Sequence, residues 1–273
     1  MTGFRDLGTL EGPLLLFGGP YSNAHALAAL GEVARGLGIP ATRMICTGDV
    51  CAYAAEPERT VTMMRALGCP VIAGNCEIAL GNRAPDCGCG FDEGATCDRL
   101  SVEWYRHADA AVSEESRGWM RALPAGLLLV QGERRYAVIH GGADAVNRFV
   151  WPVDPAEVKA AQIAMLEAAH GRIDGVICGH TGIPFVEDVD RHRWINAGAI
   201  GLPPHDGDAR TSYAVMDGEA VTIHRLEYDH AGAAETMVKA GMTAGYHAAL
   251  TSGWWPSEDS FPGAMRVGRT ALG

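Results

Sequence analysis

The chain has 273 residues, of which 48% are hydrophobic and 20% charged, and a net charge of −11. That composition supports a substantial core, and the acidic balance argues against a general binder of nucleic-acid polymers or anionic membranes. No stretch approaches the ~20 apolar residues a bilayer crossing needs, and acidic residues precede the first short apolar run. A cytoplasmic location is therefore expected, with the eight cysteines reduced or bound to metal.

Leu14 to Phe17 reads as a short buried strand, and Asn23 caps a helix with Leu27, Leu30, Val33, Ala34 and Leu37 on one face. Met44 to Thr47 is the next strand, followed by a helix from Glu56 to Leu67 and a strand at Val71 to Ala73. This alternation predicts parallel pairing with right-handed crossovers. Residues 84–97 break the pattern as a Gly- and Cys-rich loop, and a loop of that length is usually functional or stapled by metal. Helices are expected at Leu100 to His107 and Glu114 to Leu123, then a strand pair at Leu127 to Val130 and Tyr136 to Ile139. A helix from Pro155 to Ala169 leads to the strand Gly175 to Cys178, with further strands at Arg193 to Asn196, Ser212 to Met216 and Val221 to Tyr228. Asp217-Gly218 between the last two is a hairpin signal. The tail, 231–273, is helical to about Leu250 and irregular beyond Trp254. With no repeats and no low-complexity linker, residues 1–273 are expected to form one domain.

Four strand ends carry residues that ligate metals: Gly48-Asp49, Gly74-Asn75-Cys76-Glu77, His140-Gly141-Gly142 and Gly179-His180-Thr181-Gly182. In open α/β sheets ligands gather outside the carboxyl ends of strands, so these turns at one sheet edge would bring Asp49, Asn75, His140 and His180 together. A carboxylate, an amide oxygen and two imidazoles suit manganese, iron or zinc. Singly, each turn is weak: Gly-Asp is more often a plain turn, and Gly-His more often a packed or surface histidine. The ordered set is the signal.

At these motifs the chain resembles the calcineurin-like metallophosphoesterases, over about Leu14 to Tyr228, and is most similar to the small bacterial phosphodiesterase-like branch. Gly48-Asp49 matches the second motif, and Gly74-Asn75-Cys76-Glu77 the Gly-Asn-His-Asp/Glu motif. Ile139-His140-Gly141 matches the fourth, and Gly179-His180-Thr181-Gly182 the Gly-His-x-His motif except at its last residue. Asn196-Ala197-Gly198-Ala199 resembles the Asn-Pro-Gly-Ser turn. The resemblance implies an α/β fold, a four-layer α/β/β/α sandwich of two mixed sheets flanked by helices. It also implies two metal ions, bridged by Asp49, that clamp a phosphoryl group and activate water.

Aligned on the family's Asp-x-His turn, Gly19 and Tyr21 stand where the aspartate and histidine should be, and Gly182 where the final histidine should be. The family assigns those three positions to one ion. The other ion's set, Asp49, Asn75, His140 and His180, is complete. One divalent ion is therefore expected. Tyr21 or His25 could supply a replacement ligand, but Tyr21 is more readily a substrate contact or a filler of the vacated volume, and His25 a solvated side chain. Cys76 replaces the histidine that usually donates a proton to the leaving oxygen; a thiol titrating near ~8.5 can do the same, or can simply pack as a small hydrophobe. Asp49 and His140 complete the expected catalytic group. Arg148 could grip a phosphate bidentately, or serve as a surface ion-pair partner. Cys87, Cys89 and Cys97 form a partial thiolate clip, one ligand short of a structural zinc site; ordinary reduced thiols are the alternative.

Three functions follow. The first is a metal-dependent phosphoesterase, for monoesters or diesters of a small phosphorylated substrate, slowed by the lost half of its clamp. The second is a non-catalytic binding or scaffold protein on the same fold. The third is a thiolate-metal or redox role for the region from Cys76 to Cys97.

Overall fold

The computed structural model describes residues 2–271. Strand β1 (Thr2–Thr9) is followed by β2 (Leu14–Phe17), helix α1 (Ala24–Gly36), β3 (Met44–Cys46), α2 (Pro57–Leu67) and the short α3 (Asn75–Gly81). After the cysteine loop come α4 (Thr96–Ala111), α5 (Glu114–Ala122), the hairpin β4 (Pro124–Gln131) and β5 (Arg134–Val138), α6 (Ala156–His170) and β6 (Gly175–Cys178). Then β7 (Phe185–Val189), β8 (His192–Asn196), β9 (Thr211–Asp217) and β10 (Ala220–Leu226) lead into α7 (His230–Lys239) and α8 (Tyr246–Ser252).

The strands form two mixed sheets. One has six strands in the order β1-β4-β5-β6-β8-β7, the other four in the order β10-β9-β2-β3. Period-two side-chain alternation sorts the core into layers. Leu14, Leu16 and Ile45 from one sheet meet Leu127, Leu129, Tyr136, Val138, Ile177 and Ile195 from the other. The alternate residues of the smaller sheet, Leu15, Phe17, Met44 and Cys46, pack under Leu27, Leu30, Val61 and Met64 of α1 and α2. Those of the larger sheet, Leu128, Ala137 and Val176, meet Ile163 and Leu166 of α6. This is the four-layer sandwich that the sequence implied, with each sheet apolar on both faces.

Local chemistry sets the element ends. Asn23 accepts the Ala26 N–H at 3.1 Å and donates to the Gly201 carbonyl at 3.1 Å, so the cap of α1 also ties it to the turn after β8. Leu37, expected on the buried face of α1, lies just past its end and is 53% exposed. Pro57 opens α2 and Gly68, in the left-handed region, closes it.

Four expectations need correction. The strand at 71–73 shrinks to a single bridge between Val71 and Cys46. The helical tail is two helices, divided by Gly241 and Gly245, both with positive φ. Strands β1 and β7 were not foreseen: Gly3, Arg5, Asp6 and Gly8 spoil the alternation of β1, whose place comes from its parallel partner β4. Finally, the ligand-bearing turns do not share one sheet edge: β3 belongs to one sheet and β5 and β6 to the other, while the 71–73 segment bridges to β3 at Val71 and bonds to β4 through the Ala73 N–H.

Beyond α8 the chain turns back over the ends of the strands. Trp255 Nε1 donates to the Pro203 carbonyl at 2.6 Å, and the Trp255 N–H to His205 Nδ1 at 2.7 Å. His205 Nε2 lies 2.8 Å from Glu258.

Candidate metal centre

The sequence Thr47-Gly48-Asp49 leaves β3 and must reverse at once, so Asp49 takes a left-handed backbone with φ of 57°. Glu77 holds that turn. One of its carboxylate oxygens accepts the N–H groups of Asp49 at 2.7 Å and Gly74 at 2.9 Å, and the other accepts the Val50 N–H at 2.7 Å. Glu77 is thus the clasp between the turn bearing Asp49 and the one bearing Asn75. Burial first, and the charge of Asp49 second, push its carboxyl up to about 7. Its role was not foreseen, although Glu three residues after Gly74 is the capping-box position, and that was the available signal.

The two turns touch backbone to side chain. A Cβ on Gly74 would sit 2.2 Å from Asp49 Oδ1 and 2.8 Å from His140 Cε1, so only glycine fits. Asp49 Oδ1 accepts the Cys76 N–H at 3.2 Å, which leaves Oδ2 facing inward. His140, at the end of β5, donates from Nδ1 to the Thr47 carbonyl at 2.6 Å. That bond fixes the ring and turns Nε2 toward the other groups.

All four expected ligands meet there. His140 Nε2 lies 3.2 Å from Asp49 Oδ2, 3.1 Å from Asn75 Oδ1 and 3.1 Å from His180 Nδ1. Asn75 donates from Nδ2 to the Cys87 carbonyl at 3.0 Å, so its Oδ1 is the atom presented. Among the described residues, Asp49, His140 and His180 are the one grouping of three such side chains whose ligand atoms all fall within 4.8 Å of one another. Carboxylate, amide and imidazole lone pairs brought this close repel unless a cation or proton lies between them, so the donor set fits a divalent metal. Burial opposes the charge of Asp49, but His140 outweighs it and holds the carboxyl below its usual range. Burial likewise works against the His140 cation, and Asp49 overcomes it, so that this imidazole is raised. Burial, then the positive charge of His140, lowers His180 to about 3, leaving it a neutral ligand.

Tyr21 lies beside this cluster, 4% exposed, with its ring edge-on to Tyr53 at 4.8 Å. A Cβ on Gly19 would fall 2.4 Å from Tyr21 Cζ, so the ring occupies the space where a side chain at 19 would stand. Its hydroxyl reaches to 3.5 Å from where a Gly182 Cβ would be. Tyr21, Tyr53, His180, Thr181, Tyr246 and Trp255 are among the walls of a small cavity of about 20 Å³. Tyr246, from α8, carried no signal in the sequence, because the tail folds back from far along the chain. His25 is turned away, toward Glu56 at 3.6 Å and Asp229 at 3.5 Å.

The other candidates are placed differently. Cys76 is 1% exposed and packs in the core, where burial and then the charge of Asp49 push its thiol well above the usual range. Arg148 is not free to grip a phosphate: its guanidinium makes a bidentate pair with Asp144, with Nε to Oδ1 at 2.5 Å. The thiolate clip is not assembled. Cys87 and Cys89 are joined in a disulfide, and the Cys97 Sγ turns to Ser260 at 3.9 Å. Cys46, Cys51, Cys69 and Cys178 are buried packing residues.

No helix among the described residues is long and apolar enough to cross a membrane.

Comparison with known proteins agrees with this architecture. An uncharacterized protein of Methanocaldococcus jannaschii is 26% identical over 238 residues, covering 80% of this chain and 89% of its own length. The crystal structure of a metallophosphoesterase from Sphaerobacter thermophilus superposes with a TM-score of 0.67 at 23% identity, covering 89% of this chain and 100% of the other. A hypothetical protein from Pyrococcus horikoshii superposes with a TM-score of 0.72 at 17% identity, covering 89% and 99%. The calcineurin-like phosphoesterase superfamily domain matches residues 21–220, which hold every ligand of the cluster, and the chain belongs to that superfamily.

Proposed function

We propose that the protein is a metal-dependent phosphoesterase that works with one divalent ion, manganese, iron or zinc, held by Asp49, Asn75, His140 and His180. The observation that carries this reading is the meeting of three ligand atoms within 3.2 Å of His140 Nε2. When bound, such an ion polarises a phosphoryl oxygen and supplies a nucleophilic water at neutral pH.

The chain's own residues supply the rest. The Thr47 carbonyl orients His140, Glu77 fixes the turn of Asp49, and the Cys87 carbonyl orients the Asn75 amide. Cys76 keeps its proton next to Asp49, which argues against a nucleophile, and its burial in the core and raised thiol favour packing over proton donation. Tyr21 fills the ground beside the cluster, where Gly19 and Gly182 bring no side chain, and Asp49 Oδ1 already accepts the Cys76 N–H. His180 Nε2 is left without a partner, so a second ion would find one free imidazole nitrogen rather than a ligand set. Losing half of a two-ion clamp removes much of the charge stabilisation in phosphoryl transfer, so turnover on simple aryl phosphate esters should be slow. The expected substrate is a small phosphorylated molecule.

Elemental analysis of the purified chain, alongside an Asn75→Ala, His140→Ala double variant, tests the reading. One ion per chain, lost in the variant together with hydrolysis, supports it; two ions, or a metal content unchanged by mutation, refutes it. A binding role without catalysis is favoured by one observation, that the cavity beside the centre is only about 20 Å³, small for an ester substrate. Absence of hydrolysis of mono- and diesters with any of the three metals would decide for that role.

A further inference from the structure

Three phenols line the small cavity next to His180: Tyr21 from the turn after β2, Tyr53 from the loop after β3, and Tyr246 from α8. Their rings contact one another, Tyr53 lying 4.8 Å from Tyr21 and 4.6 Å from Tyr246 between centroids. Tyr21 is 4% and Tyr246 6% exposed, yet none of the three hydroxyls has a hydrogen-bond partner among the described residues. By contrast, the Tyr105 hydroxyl donates to the Ala84 carbonyl at 2.8 Å. A hydroxyl without a protein partner takes one from water or a ligand, and these three, unlike those of Tyr136 and Tyr228, are not sealed in the packing. Three of them at one cavity, with the volume for about one water-sized group, describe an unfilled set of donors. No lysine or arginine lines the cavity, so the donors are neutral.

We propose that Tyr21, Tyr53 and Tyr246 form an anion cradle that receives one phosphoryl oxygen of the substrate or of inorganic phosphate, in the ground next to the metal centre. The hydroxyls donate, and the oxyanion accepts. Because the donors carry no charge, the cradle stabilises a partial or single negative charge best, which matches the one charge of a phosphodiester more closely than the two of a monoester. The proposal rests on the metal centre described above and gives it a substrate contact. It also accounts for the aromatic filling of that half of the site, since a phenol supplies both ring volume and a donor.

The test uses the full chain loaded with Mn²⁺ and inorganic phosphate as the probe, titrated calorimetrically. Tyr21→Phe, Tyr53→Phe and Tyr246→Phe keep the ring and remove only the hydroxyl, and Tyr105→Phe is the control. Hydrogen bonds to a charged group predict a loss of about tenfold or more in phosphate affinity for each cradle variant. Metal content and melting temperature should match the wild type, and Tyr105→Phe should bind phosphate as the wild type does. Wild-type phosphate affinity in all three variants overturns the proposal, as does loss of the metal itself, which would make the hydroxyls part of the metal shell. If the variants weaken phosphate but no ester is hydrolysed, the cradle stands and the phosphoesterase reading falls. If esters are hydrolysed at wild-type rates by all three variants, the reverse holds.

Discussion

Replacing Gly74 with alanine is the sharpest test of how the centre is built. The backbone at Gly74 has φ of −86°, open to any residue, so the substitution carries no penalty from conformation alone. The added methyl would lie 2.2 Å from Asp49 Oδ1, more than 1 Å inside ordinary contact at 3.4 Å. Asp49 has little room to yield, because its carboxylate accepts the Cys76 N–H and its own N–H is held by Glu77. Overpacking of this kind costs ~1–3 kcal/mol. The larger effect falls on the ligand, since displacing a positioned group by about 1 Å can cost ~100-fold in function. Gly74→Ala should therefore unfold at lower denaturant with an unchanged m-value, and should bind Mn²⁺ at least about tenfold more weakly in competition with a chromophoric chelator. A Gly74→Ala protein with wild-type metal affinity would show that the two turns are not in the contact described.

Other outcomes follow from the same geometry. Glu77→Gln removes a charged acceptor from three N–H groups and sets an amide NH₂ against one of them, so it should destabilise the fold by about 3 kcal/mol in urea melts and loosen the turn that carries Asp49. Metal binding near pH 7 should release a proton from His140, whose raised pKa makes it the competing site, and part of one from Glu77, which sits at about 7 beside Asp49; His180, lowered to about 3, is already neutral. Affinity should thus climb with pH as His140 loses its proton, and calorimetry in buffers of different ionisation enthalpy counts what is released. For the protein without metal, the sign for Glu77 is the reverse of an ordinary salt-bridged carboxylate. Its folded-state value, about 7, lies above the unfolded one, so its contribution to stability declines as pH rises from about 4.5 to 7 and is flat above, which chemical melts of chelator-treated protein can follow. Arg148→Ala should change kcat/KM by less than about threefold, because its guanidinium is committed to Asp144 and exposed pairs contribute little.

Much of this arrangement was legible in the residues. The strand Leu14–Phe17 and the cap at Asn23 follow from an apolar run, a Gly-Gly turn and an Asx residue in sequence. The four ligand turns follow from Gly paired with Asp, Asn or His at strand ends. What escaped was whatever depends on contacts distant along the chain. β1 has no pattern of its own and exists through β4. Tyr246 reaches the site only because α7 packs against α1 and α8 against α7. The division of ligands between two sheets cannot be read from a β-α-β alternation, which looks the same whether the strands share a sheet or face one another. Arg148 illustrates the limit of motif reading: its neighbour Asp144, four residues earlier, claims it.

The split ownership of the ligands has a mechanical meaning. Asp49 follows a strand of one sheet, His140 and His180 follow strands of the other, and hydrogen bonds already cross the seam, from Gln131 to the Met216 carbonyl and from His140 to the Thr47 carbonyl. A bound cation would be one more rivet through that seam, placed at the end where the ligand turns meet. Loading the ion would then tighten a registration that the protein's own bonds have already set.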